Sequence, residues 1–372
     1  MLPKERVMRA VNGEKPDRIP IDLGSTNCTT IALRAYQGLK KAYSVEAEDR
    51  LMMDNFQIVE VDDSILEALE IDTRGIHGNS PSDVVQERID EDTYINQFGI
   101  KYKRTSSGLY YDMVEFPLKG EKIDSLEKFE FPDPYDKDGI PNGLEDRARE
   151  LYKEGKYALV GDMVESGIFE PCWYLRGLDS FLMDLVANEK FANELMKKML
   201  DYQTKRYEFF LDKVGDYLDI VFVGDDLATS DKTIMSVDTY RKMVKPYQKR
   251  YFESIKNMTD AKILYHSDGN IYDFVGDLVE IGVDILNPIE PGALDENKLK
   301  ETYGGQLCFW GGIDTKNVLP NGSPADVEEE VKSRINKLGP EGYVVTSVHD
   351  IQADTPAENI ISMFETAKNV RI

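Results

Sequence analysis

The sequence predicts an α/β protein of the (β/α)8 TIM-barrel class. Eight short apolar runs, each too hydrophobic for a strand with one wet face, alternate with helical patterns, which is typical of buried parallel strands joined by helices. Helix starts are well marked, as in SPAD at 323–326, where a capping hydroxyl, a proline and an acid open the first turn. Eight such units favour a closed barrel, and a wide open sheet is the alternative.

The eight predicted strands follow one another along the whole chain. They cover residues 18–23, 71–76, 158–160, 218–223, 262–265, 283–286, 307–310 and 343–346. Between the second and third strands, residues 84–118 alternate Tyr, Ile and Val with turn glycines, which predicts a β-hairpin insertion. Residues 170–215 predict additional helices. Because no repeat or flexible linker interrupts this pattern, we expect residues 1–372 to form one barrel domain with an insertion at about 84–118.

Composition excludes several classes of function. The 372 residues include 45 Lys and Arg against 69 Asp and Glu, a net charge of −24, which disfavours nucleic acid and anionic membrane surfaces as partners. Cys28, Cys172 and Cys308 lie far apart without a C-x-x-C pair, so we expect neither a disulfide framework nor a zinc knuckle. Without a leader pattern or an apolar run of about 18 residues, we expect a soluble cytoplasmic enzyme.

All three histidines follow predicted strands, and in a barrel the functional residues collect at the carboxyl ends of strands. His266 and Asp268 stand two residues apart at such an end, so both side chains point the same way. An imidazole and a carboxylate suit Zn²⁺, and His349 on another element would close the site. We therefore predict His266, Asp268 and His349 as metal ligands. A His–Asp pair that binds substrate without metal, or only orders the loop, is the alternative.

Other polar and aromatic residues at the predicted strand ends complete the site. Asp225 and Asp226 are adjacent, so one faces the cavity and the other caps a helix, while Glu165 lies in the glycine-bounded loop GDMVESG. The candidate catalytic residues are Glu165, Asp226, His266 and His349, and the candidate substrate-binding residues are Asp225, Tyr265, Asn287 and Trp310. The plainer interpretation is that the acids are helix caps or loop residues and the aromatic side chains pack the barrel. P-loop, G-x-S-x-G and H-E-x-x-H motifs are absent from the sequence.

Seven stretches, in order and nearly end to end, resemble the uroporphyrinogen decarboxylase superfamily. They are PKERV at 3–7, GEKPDRIP at 13–20, FVGDD at 222–226, YHSDGN at 265–270, IGVDILNP at 281–288, FWGGIDT at 309–315 and IQADTPAEN at 351–359. The resemblance implies a (β/α)8 barrel, in agreement with the count of strands.

The superfamily has two main chemistries, which the sequence separates. Uroporphyrinogen decarboxylases hold their polycarboxylate substrate with an R-x-x-R-Q-A-G-R segment, whereas residues 24–30 read GSTNCTT here, so that reaction is not expected. The other branch is similar to cobalamin-dependent methyltransferases, several of which bind zinc on a His-x-Cys…Cys motif. His266 matches that histidine, Asp268 replaces the first cysteine, and His349 falls near the second. The harder ligand set suits the polarisation of an oxygen better than the binding of a thiolate.

The resemblance therefore implies a corrinoid-dependent methyltransferase of the O-demethylase type. The methyl group of a methoxylated, aromatic small molecule would pass to the Co(I) corrinoid of a partner protein, with zinc or an acid assisting the leaving oxygen. The resemblance also allows a homodimer. The alternatives are a methyltransferase acting on a methylated amine or transferring to a carrier such as tetrahydrofolate, a decarboxylase of the family type, and a non-catalytic subunit that binds a corrinoid protein.

Overall fold

The computed structural model describes residues 1–108 and 110–372, and its strands fall into three sheets. The strands are β1 (Ile31–Ala32), β2 (Leu51–Met53), β3 (Ile58–Val59), β4 (Thr73–His77), β5 (Val85–Asp90), β6 (Thr93–Asn96), β7 (Lys101–Arg104), β8 (Tyr111–Glu115), β9 (Ala158–Asp162), β10 (Ile220–Gly224), β11 (Lys262–His266), β12 (Ile285–Asn287), β13 (Cys308–Trp310) and β14 (Tyr343–Val344). The largest sheet is parallel and follows the order β14-β13-β12-β11-β10-β9-β4.

Helices cover this parallel sheet and follow its strands along the chain. They are α1 (Pro3–Val11), α2 (Leu33–Tyr43), α3 (Asp63–Ala68), α4 (Ile123–Lys128), α5 (Leu144–Glu154), α6 (Phe169–Arg176), α7 (Leu178–Ala187), α8 (Glu189–Val214), α9 (Val237–Thr239), α10 (Lys245–Lys256), α11 (Tyr272–Glu280), α12 (Glu296–Tyr303), α13 (Val318–Asn321), α14 (Pro324–Leu338) and α15 (Ala357–Asn369). As predicted, Ser323 caps α14 through a reciprocal hydrogen-bond pair with Asp326. In the described part of the chain, no helix combines the length and the hydrophobicity needed to cross a bilayer.

A short extended stretch, residues 19–22, closes the barrel between β14 and β4. We call it the closing segment. Ile21 forms a parallel bridge with Val345, and the Asp22 N–H donates to the Val345 carbonyl at 3.0 Å. On the other side, the Asp72 N–H donates to the Ile21 carbonyl at 3.1 Å. The ring therefore has eight members, and the predicted (β/α)8 barrel is confirmed.

Burial on both faces explains why the barrel strands are continuous apolar runs. Along β10, Ile220 and Phe222 point into the barrel, where they pack with Trp310, while Val221 and Val223 pack under the surrounding helices. Successive side chains of a strand face opposite sides, so a strand with two covered faces needs apolar residues at nearly every position. The eight predicted strands correspond to the closing segment and the seven parallel strands.

A buried ion-pair network fixes the closing segment to the rest of the fold. The Asp72 carboxylate is fully buried and accepts hydrogen bonds from Arg6 Nη1 at 2.6 Å, Arg18 Nη1 at 2.9 Å and the Ile21 N–H at 2.9 Å. Two guanidinium groups and a backbone N–H together satisfy the carboxylate, which isolated burial would penalise heavily. The network thus ties α1 and the closing segment to the start of β4.

The segment predicted as a hairpin is larger than one hairpin. Strands β5, β6, β7 and β8 form a four-stranded antiparallel sheet, in which Tyr94 and Tyr102 stack at 5.0 Å between ring centroids. The Tyr111 N–H donates to the Asn55 carbonyl, so this sheet lies beside the loop between β2 and β3. The sequence analysis recognised only two of the strands because their outer faces are exposed and polar. Leu109, within the predicted insertion, lies outside the described residues.

The sheet β1-β3-β2, which the sequence analysis did not predict, stands at the mouth of the barrel. Ile31 pairs with Val59 in β3, and it also forms a parallel bridge with Ile351. The loop after the closing segment and the loop after β14 are thereby held side by side. This arrangement matters for the site because each loop carries one of its residues.

Candidate active site

The carboxyl ends of neighbouring parallel strands bring four polar side chains to one level. In the register of the sheet, Gly224 pairs with His266, and His266 pairs with Asn287. On the other side, His77 pairs with Asp162. Two of the residues that the sequence analysis selected, His266 and Asn287, are therefore side by side at the carboxyl ends of neighbouring strands.

Two groups of potential ligand atoms meet at His266. Atoms of Cys28, His266 and His349 lie within 4.8 Å of one another, and so do atoms of Asp226, His266 and Asp268. The His266 Nε2 atom is 3.7 Å from Asp268 Oδ1 and 4.0 Å from Asp226 Oδ1. The predicted ligands His266, Asp268 and His349 are therefore divided between two groups that share one imidazole. The sequence analysis did not predict Cys28 as a member.

Asn287 sets the tautomer of His266. Its side-chain NH2 donates to the Trp310 carbonyl at 3.0 Å, which identifies the other amide atom, 2.6 Å from His266 Nδ1, as the oxygen. His266 therefore donates from Nδ1 and presents Nε2 to the two groups of ligand atoms. Metal-binding histidines are commonly oriented in this way by a carbonyl oxygen behind them. The predicted substrate-binding residue Asn287 thus lies behind the histidine and holds it in place.

The negative groups around His266 favour a positive charge. Burial lowers the pKa of His266, but Cys28, then Asp268 and Asp226, outweigh that effect and raise it to about 10. A proton or a metal ion at Nε2 would meet the same demand, because both neutralise the surrounding acids.

Asp268 supplies the observation that tests whether these residues suit a metal. Its Oδ1 atom is buried and has no hydrogen-bond partner within residues 1–108 and 110–372, although the Asp268 N–H donates to Asp226 Oδ1 at 2.8 Å. Buried carboxylate oxygens normally accept hydrogen bonds, so one that accepts none, beside an oriented imidazole, is suited to bind a cation. Nitrogen, sulfur and oxygen atoms at this separation fit the ligand preferences of Zn²⁺.

A tight turn presents Cys28 to the two histidines. The Gly24 N–H donates to the Thr29 carbonyl at 2.8 Å, and the Cys28 N–H donates to Thr26 Oγ1 at 3.2 Å. The Asn27 N–H also donates to Asp162 Oδ2 at 2.7 Å, which joins the turn to the end of β9. Gly24 has φ +73°, and an added Cβ would stand 3.0 Å from Val61, so glycine is needed at the start of this turn.

Glu170, at the start of α6, is a second residue that the sequence analysis missed. Burial, followed by the nearby Asp226, raises the pKa of Glu170 well above its ordinary value. Burial and Asp268 likewise raise the pKa of Asp226. The Tyr174 hydroxyl donates to Glu170 Oε1 at 2.6 Å and holds the side chain. A carboxyl group whose pKa is raised keeps its proton to higher pH, so Glu170 and Asp226 are candidate acids.

A cavity of about 410 Å³ leads from the outside to His349 and Asp350. Phe56 and Tyr110 stand on its wall, and both rings are nearly half exposed. This volume is in the range that holds a small organic molecule, and the aromatic walls favour a flat apolar one.

Family comparison tests the resemblance suggested by the seven stretches. The uroporphyrinogen decarboxylase (URO-D) family matches residues 116–370. The chain belongs to this family. The recognition made from sequence is thereby confirmed, and with it the barrel architecture.

Relatives within and around the URO-D family include both of its chemistries. A uroporphyrinogen decarboxylase from Trichodesmium erythraeum is 21% identical over 98% of this chain and 95% of its own length. Methylcobamide:CoM methyltransferase MtbA from Methanosarcina mazei is 24% identical over 57% of this chain and 58% of its own length. The solved structure of a methyltransferase from Methanosarcina mazei has a TM-score of 0.67 at 14% identity, covering 99% of this chain and 98% of that one. That similarity supports the fold.

Three predicted site residues of this URO-D chain, Asp225, Tyr265 and Trp310, make contacts that stabilise the fold. Asp225 is buried and accepts from the N–H groups of Ile168 and Glu170, so it caps α6 rather than facing Cys28. Tyr265 packs beneath α10, and its hydroxyl accepts a hydrogen bond from the Gln248 side chain of that helix. Trp310 fills the barrel interior, where its Nε1 donates to a buried carboxylate at 2.9 Å. None of these three side chains belongs to either described group of ligand atoms.

Glu165 lies beside the two groups rather than within them. It adopts φ +59°, which is unusual for a residue with a side chain, and its carbonyl accepts from Gln203 Nε2 at 2.8 Å. It lines a small apolar pocket with Tyr174 and Arg206. Its catalytic role stays a prediction, and Glu170 competes for the same role.

Asp162 leads to a prediction about the pH dependence of stability. Burial raises the pKa of Asp162 to about 7, against 3.8 as the ordinary value. Between these values the unfolded chain releases the proton while the folded chain keeps it, so the wild type loses stability as the pH rises from about 4 to 7. We expect Asp162→Asn to remove this loss and to gain, relative to wild type, about 2 kcal/mol between pH 5 and pH 8.

Urea denaturation of both proteins at pH 5 and pH 8 measures this difference. An equal difference in the free energy of unfolding at both pH values would show that Asp162 keeps an ordinary pKa. The His77 imidazole, with Nδ1 3.9 Å from Asp162 Oδ2, is the neighbouring side chain to vary next in that event.

Proposed function

We propose that this URO-D family member is a corrinoid-dependent methyltransferase that removes the methyl group from a methoxylated, aromatic small molecule. The acceptor is the Co(I) corrinoid of a partner protein. The observation that carries the proposal is that His349 lines a cavity with aromatic walls and also belongs, with His266, to a group of potential ligand atoms. A flat apolar ring would fit between these walls, with its ether oxygen directed toward His349.

Methyl transfer by displacement makes a clear demand on the protein. The Co(I) electron pair forms the bond to the methyl carbon, the C–O bond breaks, and its electron pair stays on the oxygen. Because a phenolate is a basic leaving group, with a pKa near that of tyrosine at about 10, it leaves more readily when it receives a proton. The overall balance is an aryl methyl ether, Co(I) and one proton giving a phenol and methyl-Co(III).

Glu170 and Asp226 are the residues that meet this demand. The proton that they retain would pass to the ether oxygen as the C–O bond breaks, and solvent would restore it afterwards. Tyr174 keeps Glu170 in position. Glu165, the acid predicted from sequence, is the other candidate for the same step.

The family also implies zinc, and the residues present fit it. His266 and Asp268 offer an oriented nitrogen and an unpaired oxygen, as described above. A bound zinc ion would act as a Lewis acid toward the ether oxygen. The chain's own contribution is to hold these atoms in place and to exclude water around them.

The decarboxylase alternative finds less support in the binding site. Residues 24–30, where the porphyrinogen decarboxylases place their arginines, form the turn around Cys28 here. Acidic side chains surround His266, and they would repel a polycarboxylate. A neutral aryl methyl ether meets no such repulsion. A methylated amine, being cationic, remains an alternative that the same acids would favour.

Direct assay separates these reactions. The purified protein is mixed with cob(I)alamin and, in parallel, with methoxylated phenols and methylated amines, and formation of methylcobalamin is followed by absorbance. We expect methylcobalamin and the free phenol in equal amounts with at least one aryl ether. Product from amines alone would support the alternative. Uroporphyrinogen decarboxylation, or no product from any donor, would overturn the proposal.

The partner and the surroundings of the enzyme are proposed on the same basis. A corrinoid protein would present its cofactor at the open end of the cavity, and the chain would act in the cytoplasm, singly or as a homodimer. The three cysteines are free and buried, as suits a reducing compartment.

A further inference from the structure

Cys28 stands apart from the other two cysteines of the chain. All three are buried and free, but the Sγ of Cys308 donates a hydrogen bond to the backbone carbonyl of Phe309, at 3.8 Å. Cys28 places its sulfur within 4.8 Å of ring nitrogens of His266 and His349. A structural cysteine behaves as a small apolar side chain and does not need such neighbours.

The two imidazoles around Cys28 each have a group behind them that fixes the ring. His266 donates from Nδ1 to the Asn287 amide oxygen at 2.6 Å. His349 Nδ1 accepts a hydrogen bond from the Asp350 N–H at 2.8 Å and lies 3.2 Å from Asp350 Oδ2. The acceptor behind His266 is the usual support for a metal-binding histidine, because it directs the free lone pair at the ion. His349 is fixed by its own loop through the backbone N–H of Asp350.

The three residues come from separate parts of the chain that closure of the barrel brings together. Cys28 follows the closing segment, His266 ends β11 and His349 follows β14. Cys28 and His266 are each more than nine-tenths buried, so the sulfur is shielded from water while His349 faces the cavity. A shielded side and an open side are what a catalytic zinc site requires, since one position must remain for the substrate.

We propose that Cys28 is a thiolate ligand of a divalent metal site of the zinc class, together with His266 and His349. Metal binding releases the thiol proton to solvent, and the S–metal bond replaces the S–H bond. Asp268 Oδ1 supplies a fourth ligand or gives way to the substrate oxygen. A thiolate from the first loop therefore stands in for the cysteines that the chain lacks at positions 268 and 349. This deepens the proposed function and rests on it only for the use of the metal.

Metal binding itself provides the test, with Zn²⁺ and Co²⁺ as probes and the full chain as the protein. We expect one ion per chain, one sulfur neighbour in the zinc X-ray absorption spectrum, and a near-ultraviolet sulfur-to-cobalt charge-transfer band. Cys28→Ser should lose that band and weaken zinc binding by roughly 100-fold or more. Cys308→Ser is the matched control and should keep both.

The outcomes decide the inference without any methyl donor or corrinoid. Absence of sulfur around zinc in the wild type, or a charge-transfer band that survives in Cys28→Ser, would overturn it. The wild-type absorption spectrum decides the matter even if a cysteine variant fails to fold. Failure of the methyl-transfer assay leaves these measurements unchanged, so the two proposals can fail separately.

Discussion

His266→Ala should lower the rate of methyl transfer by about 10³-fold or more. This imidazole is the one residue shared by both described groups of ligand atoms, so its removal leaves Cys28 and Asp268 without their common partner. Stabilisation of a leaving oxygen at such a site is worth several kcal/mol, and about 4 kcal/mol corresponds to the stated factor. The measurement is kcat/KM for the best donor with cob(I)alamin, after the folded state is checked by circular dichroism.

Asn287→Ala gives the graded comparison for that result. The histidine stays, but the ring loses the acceptor that fixes its tautomer, so we expect a smaller loss of about 10- to 100-fold. Equal losses in the two variants would mean that His266 acts only when fixed in this orientation. If His266→Ala keeps more than a tenth of the activity, the site does not act through this imidazole.

Glu170→Gln should slow methyl transfer in proportion to the basicity of the leaving group. The amide keeps the shape and the bond from Tyr174 but carries no acidic proton, and loss of a general acid costs about 10²- to 10⁴-fold. Ethers of weakly acidic phenols should lose most. Ethers of nitrophenols, which leave well without a proton, should lose little. The measurement is the slope of log kcat/KM against the pKa of the phenol.

Glu165→Gln is the matched control for the acid. If Glu170 gives the proton, the Glu165 variant should retain the wild-type slope, because the substitution leaves the backbone at φ +59° and the side-chain length unchanged. A steep slope in Glu165→Gln together with an unchanged one in Glu170→Gln would reverse the roles and support the residue chosen from sequence.

The barrel could be predicted because its strands are buried on both faces. A run such as 218–223 carries apolar residues on successive positions, and this local signal survives without knowledge of the neighbours. The closing segment was found in the same way, although in the structure it forms only an isolated bridge at Ile21. The sheet β5-β6-β7-β8 was underestimated because exposed strands such as β5 carry polar residues on both faces.

The site was predictable only where chain position sets the geometry. His266 and Asp268 share a strand end, and so their proximity follows from the sequence alone. Cys28 comes close to His266 only because the barrel closes. No local sequence pattern predicts a contact between residues so far apart in the chain. Asp225 and Glu170 show the same limit, since a carboxylate at a strand end can cap a helix instead of facing the cavity, and only packing decides between the two.

The closing segment links the stability of the closed barrel to the residues at its mouth. Its pairing with Val345 connects the first and last parts of the chain. This pairing consists of few backbone hydrogen bonds. Cys28 lies in the loop after the closing segment, and His349 lies in the loop after β14, so the two residues come from the two chain segments that this pairing connects. A metal ion or ligand that binds both side chains stabilises the closed barrel, because it binds the closed ring and not the opened one. Binding at the site therefore opposes detachment of the amino-terminal segment from the rest of the barrel.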